Sequence, residues 1–81
     1  MFRLTLKAAR INAGLTNKEV AKMVQIHPQT LYKYERDSSN ISVSLLEKLC
    51  EIYQVPMDYI FLGDEYDLIR TIKLKREEIA G

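Results

Sequence analysis

Three polar side chains follow a proline in the stretch QIHPQTLYKYERD, and their types and spacing suit hydrogen bonding to nucleic-acid bases. In a helix Gln29, Thr30 and Lys33 lie on one side, because residues four apart stand almost above one another. A glutamine amide can pair with the edge of adenine, and a lysine ammonium can donate to the acceptors of guanine. Pro28 suits the first position of a helix, where its missing N–H leaves no bond unmade. The stretch therefore predicts a helix that begins at Pro28 and offers a base-reading face.

Other kinds of chemistry find little support in the residue content. The chain has one histidine, His27, and one cysteine, Cys50, so neither a zinc cluster nor an intrachain disulfide is predicted. No residues have the spacing of a nucleophilic catalytic site, and no glycine-rich phosphate loop is present. Cys50 lies among Leu46, Leu49 and Tyr53, which predicts a buried structural thiol. We expect no enzymatic activity, no cofactor and no metal.

Length and composition place the candidate face on one small domain. The chain has 81 residues, is 47% hydrophobic and 28% charged, and carries a formal net charge of +1. The small positive excess lies in residues 1–62. No apolar run approaches the roughly 20 residues that a membrane span needs, and the first residues, MFRLTLKAAR, lack the apolar core of a signal peptide. These features, together with the single cysteine, predict a cytoplasmic protein without membrane association.

The residues before Pro28 have the pattern of two helices. The first is expected to end at Gly14, which can adopt a left-handed cap. The apolar residues Leu4, Ala8, Ile11 and Leu15 fall at near-helical spacing. In the second helix, Thr16 and Glu19 form a capping-box pattern. Its apolar residues are Val20, Met23 and Val24. Only the residues QI or QIH separate this helix from Pro28, and helices joined so tightly usually cross steeply, as in a helix-turn-helix.

The residues after the candidate face continue the helical pattern. Residues 37–40 form a polar loop, and Ser42 or Ser44 can cap a fourth helix. The apolar stripe of that helix is Leu45, Leu46, Leu49 and Ile52. A short fifth helix is expected from Pro56 to Gly63. In the tail, apolar residues at helical spacing predict a sixth helix: Leu68, Ile69, Ile72 and Ile79. The pattern predicts an all-α fold with non-parallel helix crossings.

The stretch from Asn17 to Arg36 resembles the Cro/C1-type helix-turn-helix family of phage repressors and bacterial regulators. The family has a small residue at the fifth position of this stretch, which is Ala21 here. It has apolar residues at five further positions, which are Val20, Val24, Ile26, Leu31 and Tyr34. The segments GLT, YERD and VPMDYIFLG also look like the family. The resemblance implies a five-helix, lambda-repressor-like domain over residues 1–63, and the apolar spacing in the tail predicts a helical extension over residues 64–81.

The resemblance also implies roles for individual residues. Arg10 and Glu35 would form a partly buried salt bridge. Gln29 and Lys33 would read bases, and Asn17 would hold the DNA backbone at the start of the second helix. The full set of expected DNA-binding residues is Asn17, Lys18, His27, Pro28, Gln29, Thr30, Tyr32, Lys33, Arg36, Ser38, Ser39 and Asn40. Within this set, Tyr32 is expected to point outward, whereas the neighbouring Tyr34 packs inward.

Three positions depart from the glycine that is frequent in the family, namely Gln25, Asp37 and Gln54. If the turn at Gln25 keeps a left-handed backbone, glutamine costs roughly 1–2 kcal/mol there. Aspartate tolerates this conformation better than most residues. We expect these departures to affect local turns and to leave the fold intact.

Two classes of function are compatible with the sequence. The first is a sequence-specific regulator of transcription, repressor-like, that binds double-stranded DNA as a homodimer and takes no small-molecule ligand. The second is a protein-interaction module, such as an antitoxin or a modulator that docks on another repressor, which the nearly balanced charge would allow. Lys73, Lys75 and Arg76 in the tail are expected to be a solvated face.

Overall fold

The computed structural model describes residues 3–80, which form five α-helices and one turn of 3₁₀-helix. The α-helices are α1 (Leu6–Asn12), α2 (Asn17–Met23), α3 (Pro28–Arg36), α4 (Val43–Tyr53) and α5 (Glu65–Ala80). The 3₁₀ turn, Met57–Tyr59, lies between α4 and α5. The prediction of an all-α fold is confirmed, and α5 is the sixth element expected in the tail.

α1 buries a different face from the one that its apolar pattern predicted. Thr5 caps the helix, since its hydroxyl accepts a hydrogen bond of 3.0 Å from the N–H three residues on. The helix therefore begins at Leu6, and Leu4 lies outside it. Leu6 and Ala9 are each 1% exposed, whereas Ile11 is 57% exposed. Ile11 therefore lies on the exposed side of α1, because the apolar spacing starts from a residue that precedes the helix.

The segment after α4 is mostly extended, and the fifth helix predicted over residues 56–63 is confirmed only as a single helical turn. Only Met57–Tyr59 is helical, as a single 3₁₀ turn. The chain then runs beside Leu4, whose N–H donates to the carbonyl of the turn's last residue at 2.6 Å. The N–H of Phe61 donates in return to the carbonyl of Leu4 at 2.8 Å. This pairing with the N-terminal segment uses backbone groups that a longer helix would have kept for itself.

The core lies between α1, α2, α3 and α4. Of the two serines expected to cap α4, Ser42 does so, and its hydroxyl accepts from the N–H of Leu45 at 3.2 Å. The prediction of a buried thiol is confirmed, since Cys50 is 5% exposed and burial raises its pKa. The buried apolar residues are Leu6, Ala9, Val20, Ala21, Leu31, Leu46, Leu49, Cys50, Tyr53 and Ile60.

α5 stands largely apart from this core. From Tyr66 to Ile79 every residue is exposed except Leu68, which is half-buried. The described molecule measures 46 × 22 × 21 Å, and a helix of this length accounts for about 24 Å. The apolar side chains of α5 are therefore available to a second surface.

Candidate nucleic-acid interface

The turn between α2 and α3 brings the two helices close together. Gln25 has φ 59°, so its backbone is left-handed. The next residue, Ile26, donates its N–H to the carbonyl of Ala21 at 3.0 Å. Ala21 is fully buried, and its small side chain leaves room for α3 to approach. The left-handed turn costs roughly 1–2 kcal/mol for a residue with a Cβ atom, and the packing of α2 on α3 offsets it.

The N-terminus of α3 is fixed by His27 and Pro28. Nδ1 of His27 accepts the backbone N–H of Gln29 at 3.0 Å, and Pro28 occupies the first helical turn. An imidazole that accepts at Nδ1 carries its proton on Nε2, so the exposed edge of His27 is a donor. His27 is therefore both the cap of α3 and a group that could donate to a phosphate.

α3 divides sharply into a buried side and an exposed side. Leu31 is 0% exposed and Glu35 is 4% exposed. Tyr34 is half-buried, in agreement with its expected inward position, and Tyr32 is 51% exposed. The remaining polar side chains of the helix are exposed, namely Gln29, Thr30, Lys33 and Arg36.

An ion pair between Arg10 of α1 and Glu35 of α3 holds the buried side in place. Nε of Arg10 donates to Oε2 of Glu35 at 2.6 Å, and the two side chains are 11% and 2% exposed. Arg10 also donates to the carbonyl of Leu15 at 3.0 Å. The charged pair is adjacent to Tyr53, whose pKa is raised by burial and further by the carboxylate of Glu35. The pair fixes the rotation of α3, and thereby decides which residues face outward.

Two shallow clefts flank the exposed side of α3, and Lys33 borders both. One has a volume of about 400 Å³ and the other of about 340 Å³. The first is lined by Gln29, Tyr32, Lys33, Arg36, Asp37 and Asp64. The second is lined by Thr30, Lys33, Tyr34, Asp37 and Asn40. Of the residues predicted to bind DNA, six therefore meet in one surface around Lys33: Gln29, Thr30, Tyr32, Lys33, Arg36 and Asn40.

Ser38 has a structural position that its predicted phosphate contact does not fit. Its side chain belongs to a residue that is 4% exposed, and its hydroxyl accepts the N–H of Gly63 at 3.0 Å. The same hydroxyl lies 3.3 Å from the carbonyl of Phe61, to which it can donate. Ser38 therefore ties the loop after α3 to the segment that leads into α5, while its neighbours Ser39 and Asn40 remain exposed.

Asp37 does not adopt the left-handed backbone considered from its sequence position. Its φ is −150°, which is extended, and it pairs with Asp64 in an antiparallel bridge. The side chain accepts from the N–H and the hydroxyl of Ser39 at 3.0 and 2.7 Å. These bonds lower the pKa of Asp37. The position of Asp64 beside α3 could not be predicted from the sequence, because it depends on the pairing of two distant segments.

At the start of α2, Lys18 is exposed and Asn17 is not. Thr16 completes the predicted capping box, since it accepts from Glu19 at 3.2 Å and Glu19 accepts from it at 3.0 Å. The bonds to Thr16 lower the pKa of Glu19. Asn17 is half-buried, and its amide nitrogen is buried without a partner among the described residues. Lys18 can reach outward from the first turn of α2, whereas Asn17 would have to rotate to do so.

Within residues 3–80, no group of three or more histidine, cysteine, aspartate or glutamate side chains is arranged to hold a metal ion. None of the described helices is long and apolar enough to cross a membrane.

Known proteins with a helix-turn-helix are similar to this chain in sequence. A family model described as Helix-turn-helix matches residues 6–60. The HTH-type transcriptional regulator ImmR of Bacillus subtilis (strain 168) is 42% identical over 60 residues, which are 74% of this chain and 47% of ImmR. The chain thus spans about half the length of that relative.

Two further relatives are more distant. The cryptic phage CTXphi transcriptional repressor RstR of Vibrio cholerae is 25% identical over 75 residues, covering 93% of this chain and 68% of RstR. An HTH-type transcriptional regulator of Archaeoglobus fulgidus is 29% identical over 67 residues, covering 83% of this chain and 94% of the relative. The match over residues 6–60 includes every helix of the core, and the chain belongs to the Cro/C1-type helix-turn-helix family.

Proposed function

We propose that the chain is a sequence-specific, repressor-like regulator of transcription, and that α3 enters the major groove of double-stranded DNA. The observation that carries this proposal is the division of α3, in which Leu31 and Glu35 are buried while Gln29 and Lys33 are exposed. In a helix-turn-helix the second helix lies in the groove with its N-terminal residues at the base edges. The names of the relatives, a transcriptional regulator and a transcriptional repressor, support the same function.

The residues around α3 supply contacts to the DNA backbone in this proposal. Exposed cations stand at the start of α2 and at the end of α3, in Lys18 and Arg36. Such contacts set the register of the protein on the duplex, whereas base contacts specify the sequence. The proposed phosphate-contacting residues are Lys18, His27, Thr30, Tyr32, Arg36, Ser39 and Asn40, with Pro28 closing the same surface. Asn17 joins them only after rotation, and Ser38 is left out because its hydroxyl is engaged inside the protein.

Two copies of the chain bind together in the proposed complex. One α3 reads few base pairs, and a two-fold dimer that reads paired half-sites solves that problem. α5 is the proposed contact between the copies, because its apolar residues lack cover: Ile69 is 50% exposed, Ile72 43% and Ile79 87%. Bound at a promoter, such a dimer would block or recruit polymerase.

A protein-interaction module is the second candidate, and the exposed α5 is the observation that favours it. A net charge of +1 gives little general attraction to DNA. In this alternative α5, or the face of α3 itself, would dock on another protein, as an antitoxin or a repressor modulator does.

Selection of bound duplexes from a random DNA pool separates the two candidates. We expect an enriched motif with two half-sites, and a loss of roughly 1–3 kcal/mol in preference for it when Gln29→Ala or Lys33→Ala removes a bidentate base contact. Lys48→Ala, on the exposed side of α4, removes the same charge elsewhere and should leave the preference unchanged. If no motif is enriched and duplex binding shows no steep salt dependence, the interaction module is the better assignment.

A further inference from the structure

Two carboxylates stand beside the proposed DNA-reading face, at the end of α3. Asp37 follows α3 directly, and Asp64 precedes α5. Their backbones form an antiparallel bridge, and the N–H of Ser38 donates to the carbonyl of Gly63 at 3.0 Å. The hydroxyl of Ser38 adds its bond to the N–H of Gly63. The start of α5 is thereby fixed against the end of α3, and Asp64 lines the same 400 Å³ cleft as Gln29, Tyr32, Lys33 and Arg36.

Each carboxylate is held by its own backbone surroundings. One oxygen of Asp64 accepts the N–H of Tyr66 at 2.8 Å, which caps α5. One oxygen of Asp37 accepts from Ser39. In the described part of the chain, no salt bridge joins either carboxylate to Lys33 or Arg36. The cleft therefore presents fixed negative charges beside cations that are free to contact a ligand.

We infer that Asp64, together with Asp37, is a specificity-determining residue of the proposed DNA-binding surface. The inference rests on the proposed function. The carboxylates keep DNA phosphates away from the side of the cleft that Asp37 and Asp64 line, at the end of α3. The protein then binds tightly only in registers where Gln29 and Lys33 meet base edges.

Binding to the specific motif and binding to arbitrary sequences have different physical origins. Binding to arbitrary sequences comes essentially from phosphate contacts and the release of counterions. Without base contacts to fix the register, the cations at the end of α3 could settle on a phosphate in many orientations, and fixed carboxylates oppose those orientations. In the specific register the base contacts place the backbone on Tyr32 and Arg36 and away from Asp37 and Asp64, so the carboxylates cost little there. Their net effect is a larger ratio of specific to non-specific affinity.

The test compares Asp64→Asn with the wild type on two duplexes of equal length and base composition, one with the selected motif and one scrambled. Asparagine removes the charge and keeps the oxygen that caps α5. At low salt we expect affinity for the scrambled duplex to rise about threefold, the effect of one unit charge roughly 7 Å from a phosphate in water. Affinity for the duplex with the motif should change by less than about half of the threefold factor. Asp37→Asn should change the two affinities in the same direction as Asp64→Asn.

Asp58→Asn is the matched control, because Asp58 is exposed and lines a separate cleft with Arg3 and Met57. It should leave the ratio of the two affinities unchanged, and thermal unfolding should show all variants folded. Equal changes on both duplexes, or none, would overturn the inference while leaving DNA binding in place. A wild-type protein that prefers no duplex sequence would overturn the proposed function and the inference with it.

Discussion

At the scale of single residues, Gln25 is one of two described positions, with Gln54, where a residue that has a Cβ atom adopts a left-handed backbone. Its φ of 59° lies in the region that suits glycine, and Gln25 is exposed, so its side chain buries little in return. Glutamine stands at a position where family members frequently have glycine, and the chain does not change its backbone to suit the glutamine. It keeps the left-handed turn that the close packing of α2 on α3 requires and accepts the strain.

Replacing Gln25 with glycine should therefore stabilise the protein. We expect Gln25→Gly to raise the free energy of unfolding by about 0.5–1 kcal/mol, because the relief of strain exceeds the added freedom of the unfolded chain. Gln25→Ala keeps a Cβ atom and is expected to have almost no effect. Urea unfolding of the three proteins measures both values. A loss of stability in Gln25→Gly would mean that the glutamine side chain contributes something that its exposure does not suggest.

At the scale of secondary-structure elements, the sequence predicted what local signals control. The capping box at Thr16 and Glu19, the start of α3 at Pro28 and the apolar stripe of α4 are all encoded within a few neighbouring residues. Apart from the ion pair of Arg10 and Glu35, which the family resemblance implied, the sequence did not predict contacts between distant segments. The segment after Tyr59 pairs with Leu4 where the sequence predicted a helix. The continuation of the same segment places Asp64 beside α3.

The candidate site divides in the same way. The exposed positions of Gln29, Thr30 and Lys33 follow from the periodicity of α3, so the sequence was sufficient for them. The burial of Ser38 could not be predicted from the sequence, because a serine in a polar loop is expected to be exposed. Its hydroxyl partners, on residues 61–63, are known only from the structure.

The ion pair between α1 and α3 is the connection between elements that most directly positions the reading helix. We expect Arg10→Met to lower the free energy of unfolding by about 3–5 kcal/mol, since the buried carboxylate of Glu35 loses its partner. The double variant Arg10→Met with Glu35→Leu should be more stable than Arg10→Met alone, because no unpaired charge is then left inside.

An exposed ion pair provides the control for this experiment. Arg70 and Asp67 lie 3.4 Å apart with side chains 71% and 61% exposed, so Arg70→Met should cost less than about 1 kcal/mol. Chemical denaturation of all four proteins gives the comparison. If Arg10→Met were as mild as Arg70→Met, the buried pair would not be what holds α3.

At the scale of the whole molecule, α5 gives the chain an apolar stripe that is exposed except at Leu68, which is half-buried. Leu68, Ile72 and Ile79 fall within about 40° of one another around the helix at 100° per residue. Leu74 is also exposed, at 56%, but lies on the opposite side of the helix. A surface of this kind costs free energy in water unless a partner covers it, and a second copy would bring the same stripe to meet it.

We therefore expect the protein to sediment as a dimer, and the double variant Leu68→Asp with Ile72→Asp to sediment as a monomer. Each aspartate would place an unpaired charge between two apolar stripes, which association cannot compensate. Leu74→Asp makes the same exchange outside the stripe and should remain dimeric. On a duplex with two half-sites, the monomeric variant should bind more weakly and lose its preference for the half-site spacing, while each α3 still recognises its own half-site. A wild-type protein that is monomeric both free and on this duplex would exclude the dimer.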